Sequence, residues 1–558
     1  MKTLNINIKT ILFIFFACCI FVMSCKDEEE VFPETRLFQP VLNEDLSAEG
    51  NSIIVNMGKL KRATSFTIDI SRDSFKTIDY TIAADTNYLV INDELLGGDP
   101  LFWNTLYQLR AIAHAADPQY DSKVSDLGGV RTERFPSILN LPGVNDVTDL
   151  RARVTWTVAG APVTKIKVFS SSDLKLTTPL KEYDVSTLDQ DAGETVIEGL
   201  DPSTAYQVAI YSESTLRGWA DYVTFVPDLD PTAAGVVDLT SNEDPAAVAN
   251  AVAAAADGSI ILVKRGVLYD LPSTALNKSI TIRAAYGFGE QKAILYTTSN
   301  WNIAGASNID HIRFVDLEIR GADYGGDYVF NPSVNDIYVG ELLFENCEIG
   351  TVRGIIRIRN TNVVIDNYKI VNCRVDSLGG YGIITTDTDP NASSPTARVN
   401  NIVLQNSTFN KVQAGITSRN NSESILIDGC TFSNFIAAGS GNYIFRYRGG
   451  AGNNNVSNGI SIRNSIFGPG WDEAATGVFS IRGKDGLPDT NFEIVNTYST
   501  GDFSFISTYE IPGFPVANYS GSQTTLWVDP IGAGDFNFKD SGFPGRFDSG
   551  DPRWRVKL

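Results

Sequence analysis

The sequence of 558 residues is poor in histidine, methionine and cysteine, with 2 His, 3 Met and 6 Cys. It contains no cluster of His or Cys at metal-ligand spacing, which argues against a zinc site, a Ser-His-Asp catalytic site and a CxxC redox site. Basic residues are also scarce, because 45 Lys and Arg stand against 66 Asp and Glu, giving a formal net charge of −21. So acidic a chain is not expected to bind duplex nucleic acid, since neutralising phosphates requires a basic surface.

Glycine is abundant, at 47 residues, and short β-branched and aromatic runs alternate with Asn-rich turns. Such a composition favours short strands and tight turns over long amphipathic helices. At roughly 100 to 200 residues per domain, the length allows several domains. The sequence therefore predicts an all-β, multi-domain, acidic protein.

Residues 1–24 have the pattern of a secretory signal peptide. Lys2 and Lys9 precede an apolar run over residues 11–23, which is too short to span a bilayer. The segment closes with the sequence Val22-Met23-Ser24-Cys25. This sequence resembles the lipobox of bacterial lipoproteins, and the resemblance implies cleavage before Cys25 and lipidation of that cysteine. An ordinary signal peptide that happens to contain cysteines is the alternative.

Residues 25–35 are predicted to form an acidic tether. They contain the run Lys26-Asp27-Glu28-Glu29-Glu30. This run resembles the export signal of Bacteroidota lipoproteins that reach the outer face of the outer membrane, and it is equally a solvated, flexible charge run. The expected location is therefore the cell outer membrane, lipid-anchored and surface-exposed.

Residues 36–142 and 143–230 show short alternating runs separated by turn signals, which predicts two β-sandwich modules. In the second module, Trp156 is a candidate core tryptophan. The stretch 199–211 resembles the E–F corner of fibronectin type III domains, and the resemblance implies that the Tyr206 hydroxyl ties this corner to upstream backbone. Modules of this kind favour a spacer role, because a fold alone carries no function.

Residues 235–558 repeat a short apolar–polar alternation that ends at a turn residue roughly every 30 residues. The seven turn positions are Asp316, Asn346, Asn372, Asn406, Gly429, Asn464 and Asn496. These residue types tolerate the left-handed backbone of a sharp corner. A period of this length, with room for three strands per coil, predicts a right-handed parallel β-helix. Asp244 is expected to be the N-cap of a capping helix that begins at Pro245 and runs to about residue 256.

Both ends of this segment resemble a known family. The start, through residue 283, resembles that of pectate-lyase-like β-helices, and the closing sequence 550–554 resembles the last turn of Bacteroidota members. With the lipobox and the fibronectin-like modules, the chain resembles an outer-membrane lipoprotein of a polysaccharide-utilisation cluster.

Small residues follow the corner in six of the repeats: Cys347, Cys373, Ser407, Cys430, Ser465 and Thr497. They are expected to form one buried ladder. Parallel Cβ vectors disfavour a disulfide between neighbouring rungs, so the three cysteines are predicted to be reduced core residues.

A second run in each repeat carries arginines. Alternation places Ile356, Ile358, Phe445 and Tyr447 inward and the intervening arginines outward. The candidate glycan-binding residues are Arg357, Arg359, Arg419, Arg446, Arg448, Arg482 and Tyr381. Because stacked like charges repel, such a stripe on an acidic chain predicts an anionic partner. An outer-face ladder of Arg and Asp with a purely structural role is the alternative.

The family resemblance implies a second reaction class, β-elimination from uronic-acid glycans. Its candidate catalytic residues here are Arg357, Arg446, Lys484 and Tyr443. Asp387 and Asp389 are candidate ligands for Ca²⁺ if the protein is a lyase; binding alone requires no cofactor.

Aromatic residues near the same runs are candidates for stacking on sugars: Trp301, Tyr324, Tyr328, Tyr381, Tyr443 and Trp471. They could equally cover the flank of the solenoid.

The sequence thus favours a cell-surface lipoprotein that binds an acidic polysaccharide of the pectin, alginate or ulvan type. Expected partners are that polysaccharide, the outer membrane through the lipid anchor, and the outer-membrane glycan importer of the same cluster. A polysaccharide lyase is the first alternative, and a structural stalk or adhesin is the second.

Overall fold

The computed structural model describes residues 35–143, 145–289, 291–388, 397–450 and 452–556. The lipidation site predicted at Cys25, the signal peptide and nearly all of the tether lie outside these residues. Within them, no helix is long and apolar enough to cross a membrane. The described chain forms two compact units. The first contains residues up to 141 with 155–194 and 206–221, and the second contains 142–154, 195–205 and everything from 222 onward.

Strands dominate both units. Those of residues 47–131 are β1 Ser47–Glu49, β2 Ser52–Asn56, β3 Ser65–Ser71, β4 Tyr80–Ala84, β5 Tyr88–Ile91, β6 Leu106–His114 and β7 Ser125–Arg131. Those of residues 151–223 are β8 Arg151–Thr155, β9 Lys165–Ser170, β10 Lys181–Asp184, β11 Glu194–Glu198, β12 Ala205–Ser212 and β13 Thr215–Val223.

The strands of residues 236–371 are β14 Val236–Leu239, β15 Ser259–Val263, β16 Leu268–Asp270, β17 Ile280–Ala284, β18 Ala293–Tyr296, β19 Ser307–Val315, β20 Leu317–Arg320, β21 Tyr328–Phe330, β22 Ile337–Glu345, β23 Glu348–Ile358 and β24 Val363–Val371. Those of residues 374–538 are β25 Arg374–Thr386, β26 Arg398–Gln405, β27 Thr408–Val412, β28 Ile416–Ser418, β29 Ser424–Asp428, β30 Thr431–Phe435, β31 Tyr443–Tyr447, β32 Ile460–Arg463, β33 Ile466–Phe467, β34 Arg482–Asp485, β35 Phe492–Val495, β36 Tyr498–Ser499, β37 Ala517–Asn518, β38 Trp527–Asp529 and β39 Asp535–Phe538. The helices are α1 Thr187–Ala192, α2 Ala247–Ala254 and α3 Gln523–Leu526, with 3₁₀ turns at Pro118–Tyr120, Pro544–Phe547 and Pro552–Trp554.

The first seven strands form two antiparallel sheets, in the orders β1-β2-β5 and β4-β3-β6-β7. Their inward residues share one core, to which Ile53 and Val55 contribute from one sheet and Ile68 and Leu109 from the other. Alternating burial along β6 is the pattern of a strand with one face on a core. The sandwich predicted for this part of the chain is therefore present.

Residues 143–230 also form antiparallel sheets, in the orders β10-β9-β12-β13 and β11-β8. Trp156 is buried, as predicted, and Tyr206 is buried in β12, where it pairs in register with Ser170. The two compact units divide this segment between them. The domain boundaries and the role of the Tyr206 hydroxyl stay predictions.

The remainder of the chain builds two large parallel sheets. Ten strands follow one another in the order β14-β15-β17-β19-β22-β24-β26-β29-β32-β35. The main path of the second sheet runs β16-β18-β20-β23-β25-β27-β30-β33-β36-β37. Each strand pairs with its counterpart one repeat later, and the interior is apolar, with rings such as Phe409, Phe432 and Phe467 stacked in successive repeats.

The seven corner positions predicted from the sequence all have left-handed backbone. Their φ angles are 58° at Asp316, 52° at Asn346, 55° at Asn372, 49° at Asn406, 65° at Gly429, 47° at Asn464 and 47° at Asn496. The side-chain amide of Asn346 donates to the Asp316 carboxylate at 3.0 Å, and the side-chain amide of Asn496 donates to the side-chain oxygen of Asn464 at 3.0 Å. The corner residues are therefore held both by conformational preference and by hydrogen bonds along the stack.

The ladder of small residues is confirmed. Cys347, Cys373 and Cys430 are buried and free, with no disulfide among them. The Cys373 amide donates to the Ser407 hydroxyl at 2.9 Å, and the Cys430 amide donates to the Ser465 hydroxyl at 3.0 Å. Burial raises the pKa of the Cys373 thiol, which keeps it protonated.

The start of the capping helix was predicted wrongly. Helix α2 begins at Ala247 with Ala246 as its N-cap, and it ends at Ala254 instead of residue 256. The Asp244 side chain accepts from the Ala246 amide at 3.0 Å, and its carbonyl accepts from Ala247 at 2.9 Å. Asp244 and Pro245 thus form a turn that precedes the helix, because the Asp side chain satisfies an earlier amide.

The C-terminal sequence lies against the second parallel sheet. Thr408 donates to the Asp551 carboxylate at 2.7 Å, and Trp554 donates its indole N–H to Thr408 at 2.7 Å. The Asp551 amide in turn donates to Thr431 at 2.9 Å. The last turn therefore covers strands β27 and β30.

Candidate functional site

A third set of parallel pairs branches from the second sheet and carries the predicted arginines. It consists of β21, residues 354–358 of β23, residues 382–386 of β25, β28, β31 and β34, paired in that order. We call this set, together with the one or two residues that directly follow each strand, the arginine ladder. The alternation predicted for it is confirmed, because Ile356, Ile358, Phe445 and Tyr447 are all buried.

One glycine fixes the turn into this ladder. Gly382 has φ 56°, and a Cβ at this position would lie 1.8 Å from the Ala414 carbonyl oxygen. No other residue fits there without displacing the backbone. The close approach sets the position of Tyr381, which directly precedes it.

The residues between the buried positions form two columns. The register aligns the first column as Arg357, Thr385, Thr417, Arg446 and Asp485. Extending the same register by two residues aligns Arg359, Asp387, Arg419 and Arg448 in the second. Arg357 and Arg446 are three strand spacings apart, about 14 Å at ~4.8 Å per strand, with small threonines between them.

Asp387 lies between two of the predicted arginines. Its Oδ2 accepts from Arg357 Nη2 at 3.0 Å and from Nε at 3.2 Å, while its Oδ1 accepts from Arg448 Nη2 at 3.0 Å. Both carboxylate oxygens are therefore already paired with guanidinium groups. Asp389 lies outside the described residues, so a Ca²⁺ site built from these two aspartates stays a prediction.

Tyr381 contacts arginine side chains. The Arg357 guanidinium carbon lies 4.3 Å from the centre of its ring and that of Arg353 lies 4.9 Å from it. The ring of Tyr328 meets it edge-on at 5.2 Å. Tyr381 thus orients Arg357 through cation–π contacts instead of offering a free face to a sugar. Arg353 directly precedes the ladder and was not among the predicted residues. Its position directly before Gly354 could have identified it from the sequence.

Tyr443 also contacts arginine side chains of the ladder. Arg482 Nη1 donates to its hydroxyl at 3.3 Å, and the guanidinium carbon of Arg446 lies 5.2 Å from the centre of its ring. Arg446 also pairs with Asp485 at 3.4 Å. Burial, followed by the charge of Asp485, raises the pKa of Tyr443. A raised pKa opposes the predicted role as a base, because a tyrosine has to be deprotonated before it can accept a proton from the substrate.

Four predicted cations have no ion pair within the described part of the chain: Arg359, Arg419, Arg482 and Lys484. Arg482 contacts the rings of Tyr443 and Tyr509 instead. Arg359 is exposed, and Arg419 is half-buried with an Nε that has no hydrogen-bond partner among the described residues. Lys484 is half-buried and aligns with the buried Phe445, not with Arg446. The register therefore separates Lys484 from the column of Arg446.

The aromatic candidates for sugar stacking differ in how deeply they are buried. Trp301 is fully buried and stacks on Phe330 at 5.2 Å, so its predicted sugar contact is wrong and it is a core residue. Tyr328 and Tyr443 are also buried. Tyr324 and Trp471 are half-buried, and the centres of their rings lie 5.6 Å apart. The Tyr324 hydroxyl donates to Glu473.

No group of three or more His, Cys, Asp or Glu that could hold a metal ion occurs among the described residues. Two cavities, of about 250 Å³ and about 400 Å³, are lined by Lys292 and Glu348, which precede the ladder segment of β23. None of the residues that line either cavity belongs to the arginine ladder.

The stability of the folded protein at alkaline pH should depend on Tyr328. Burial raises its pKa from 10.0 to about 12. A folded-state pKa above the unfolded one stabilises the protein fully below about pH 10, and this contribution is lost as pH rises to about 12. We therefore expect the stability of the wild type relative to Tyr328→Phe to fall over this range, as measured by urea unfolding.

The matched control is Tyr338→Phe, because Tyr338 is 42% exposed. An equally large fall in this control would mean that the alkaline loss is not specific to Tyr328. A Tyr328→Phe variant whose stability runs parallel to that of the wild type would contradict the assignment.

Comparisons with known proteins add little about function. The family model of a domain of unknown function, DUF4957, matches residues 268–409, which include Arg357, Tyr381 and Asp387. No curated protein matches the chain.

Three solved structures with some similarity contain fibronectin type III domains. The FN1–FN3 domains of chicken CNTN1 are 16% identical, over 34% of this chain and 67% of that one, with a TM-score of 0.15. The central fibronectin III array of RIM-binding protein is 13% identical, over 34% and 62%, with a TM-score of 0.12. A two-domain fibronectin type III segment from chicken tenascin is 14% identical, over 33% and 98%, with a TM-score of 0.15.

Proposed function

We propose that this chain is a cell-surface lipoprotein that binds an acidic polysaccharide along its arginine ladder. In this proposal the parallel sheets and the ladder are faces of a right-handed parallel β-helix, which the antiparallel sandwich modules, of fibronectin type III kind, hold away from the outer membrane. The observation that carries the proposal is the clustering of cations on one set of strands of an acidic chain.

The charge balance of the ladder and of Arg353, which directly precedes it, supports an anionic ligand. Arg353, Arg359 and Arg419 have no ion pair among the described residues, whereas Asp387 and Asp485 together neutralise only part of the rest. Guanidinium groups suit this role because their planar donors match carboxylates and are weakly hydrated. The long row of outward side chains offers contacts to several sugars of an extended polymer.

One observation favours binding over elimination. The candidate base Tyr443 is buried, its hydroxyl accepts a hydrogen bond from Arg482, and burial raises its pKa, which disfavours the deprotonated form that a base requires. A lyase would need one free group to stabilise the carboxylate and another to accept the proton.

The test uses the purified full-length protein with polygalacturonate, alginate and ulvan, and with dextran as a neutral control. Affinity electrophoresis measures binding, while ultraviolet absorbance measures the unsaturated uronates that elimination creates. We expect retardation by at least one acidic polymer, none by dextran, and no rise in absorbance. A rise in absorbance would make the protein a lyase, and migration unaffected by every polymer would overturn the proposal.

A further inference from the structure

We propose that Asp387 occupies the place of a ligand carboxylate, so that the arginine ladder contains a uronate subsite gated by its own aspartate. The inference rests on the proposed glycan-binding function and narrows it, because it names the carboxylate of a uronic acid, and not a sulfate ester, as the recognised group.

The geometry around Asp387 is that of a bound carboxylate. Arg357 binds one oxygen and Arg448 the other, each at 3.0 Å, from strands on opposite sides of β25. The Asp387 amide donates to the Ile358 carbonyl at 2.7 Å, so the backbone on which the carboxylate sits is held by the ladder. Two guanidinium groups thus converge on one planar anion.

The same two groups would accept a uronate in place of Asp387. A uronate carboxylate has the same charge and planar shape, whereas a sulfate ester is tetrahedral and places its oxygens differently. The Arg448 side chain is 33% exposed and that of Arg357 is 21% exposed, so a ligand can reach both from solvent. The Asp387 side chain is 17% exposed, so the exchange replaces one largely buried carboxylate by another and leaves both guanidinium groups paired.

Neighbouring side chains favour the exchange. Tyr381 holds the Arg357 guanidinium at 4.3 Å from its ring centre, which keeps the group in place when its partner changes. Arg359 and Arg419 align with Asp387 in the second column and attract further negative charge. Asp387 therefore lowers the affinity of this site for small anions. Binding is left to polysaccharides that bring a carboxylate of their own to this position.

The first test replaces Asp387 by asparagine, which keeps the shape and removes the charge. We expect the affinity of the full-length protein for polygalacturonate to rise roughly tenfold in low salt. The matched control is Asp310→Asn, which makes the same change in net charge at a side chain that is 89% exposed on β19. The control should change the affinity by less than about twofold.

A second variant, Asp387→Ala, tests the subsite without any polymer. Galacturonate or acetate should raise its melting temperature by several degrees, whereas galactose and sulfate should not, and the wild type should respond to none of them. Equal stabilisation by sulfate and galacturonate would overturn the assignment to carboxylates, as would no response to any anion.

The outcomes separate this inference from the proposed function. If the wild type binds polygalacturonate but Asp387→Asn binds it equally or more weakly, Asp387 only positions the arginines and the inference fails while the function stands. If no form binds any acidic polymer, the proposed function fails, and rescue of Asp387→Ala by galacturonate alone would still support a carboxylate subsite.

Discussion

A double variant, Arg357→Ala with Arg446→Ala, should bind polygalacturonate about 100-fold more weakly than the wild type. Each guanidinium can make charge-assisted hydrogen bonds to a carboxylate, and the loss of one such partner costs about 1.5–3 kcal/mol. The two losses do not add fully, because both arginines bind the same ligand. We therefore expect a total loss of about 3 kcal/mol in binding free energy, which is roughly 100-fold in affinity. Titration by isothermal calorimetry at low ionic strength measures the effect.

The matched control is Arg313→Ala with Arg320→Ala. These arginines lie on β19 and β20, outside the ladder, and pair with Glu341 and Glu318. The control has the same net charge as the test variant, so a comparable loss of affinity would mean that overall charge, and not the ladder, attracts the polymer. Replacing Arg357 and Arg446 by lysine should give an intermediate loss, because lysine keeps the charge but not the planar pair of donors.

Replacing Phe432 by alanine should lower the free energy of unfolding of the second unit by about 3–5 kcal/mol. Phe432 is fully buried, and its ring lies 5.0 Å from that of Phe409 and 4.2 Å from that of Phe467. Alanine would leave a cavity in the middle of the stack, and both neighbouring rings would lose contacts. Urea unfolding, followed by tryptophan fluorescence, measures the change.

A matched control on the same part of the chain is Val495→Ala, because Val495 is 46% exposed on β35. It should change the free energy of unfolding by no more than about 0.5 kcal/mol. A Phe432→Ala loss as small as that of the control would contradict the stacked interior and would mean that the repeats unfold independently at this point.

The corner positions show how much a repeat specifies by itself. Asn, Asp and Gly at the recurring turn position predicted left-handed backbone at all seven turns, from Asp316 to Asn496, and each turn has it. Local sterics decide this outcome, since few other residues tolerate that conformation. The inward and outward alternation of β31 was predictable for the same reason, because a strand reverses its side chains at every residue.

Trp301 and Asp387 could not be placed by local rules. A tryptophan beside a turn suggests an exposed ring, but here it stacks on Phe330, which follows it by a full repeat. Asp387 suggested an oxygen ligand for a metal, yet it pairs with Arg357 and Arg448, which lie 30 and 61 residues away in the chain. Such partners depend on the register between repeats, which no single repeat contains.

The sequence by itself determined the all-β class, the antiparallel beginning, the repeated corners and the buried ladder of small residues. Each of these follows from the conformational preference of individual residues or from the two-residue period of a strand. Only the tertiary structure decided which cations are neutralised, that Lys484 aligns with Phe445, and that Tyr381 holds Arg357. These features depend on which side chains meet across stacked strands, and that is set by the packing of one repeat on the next.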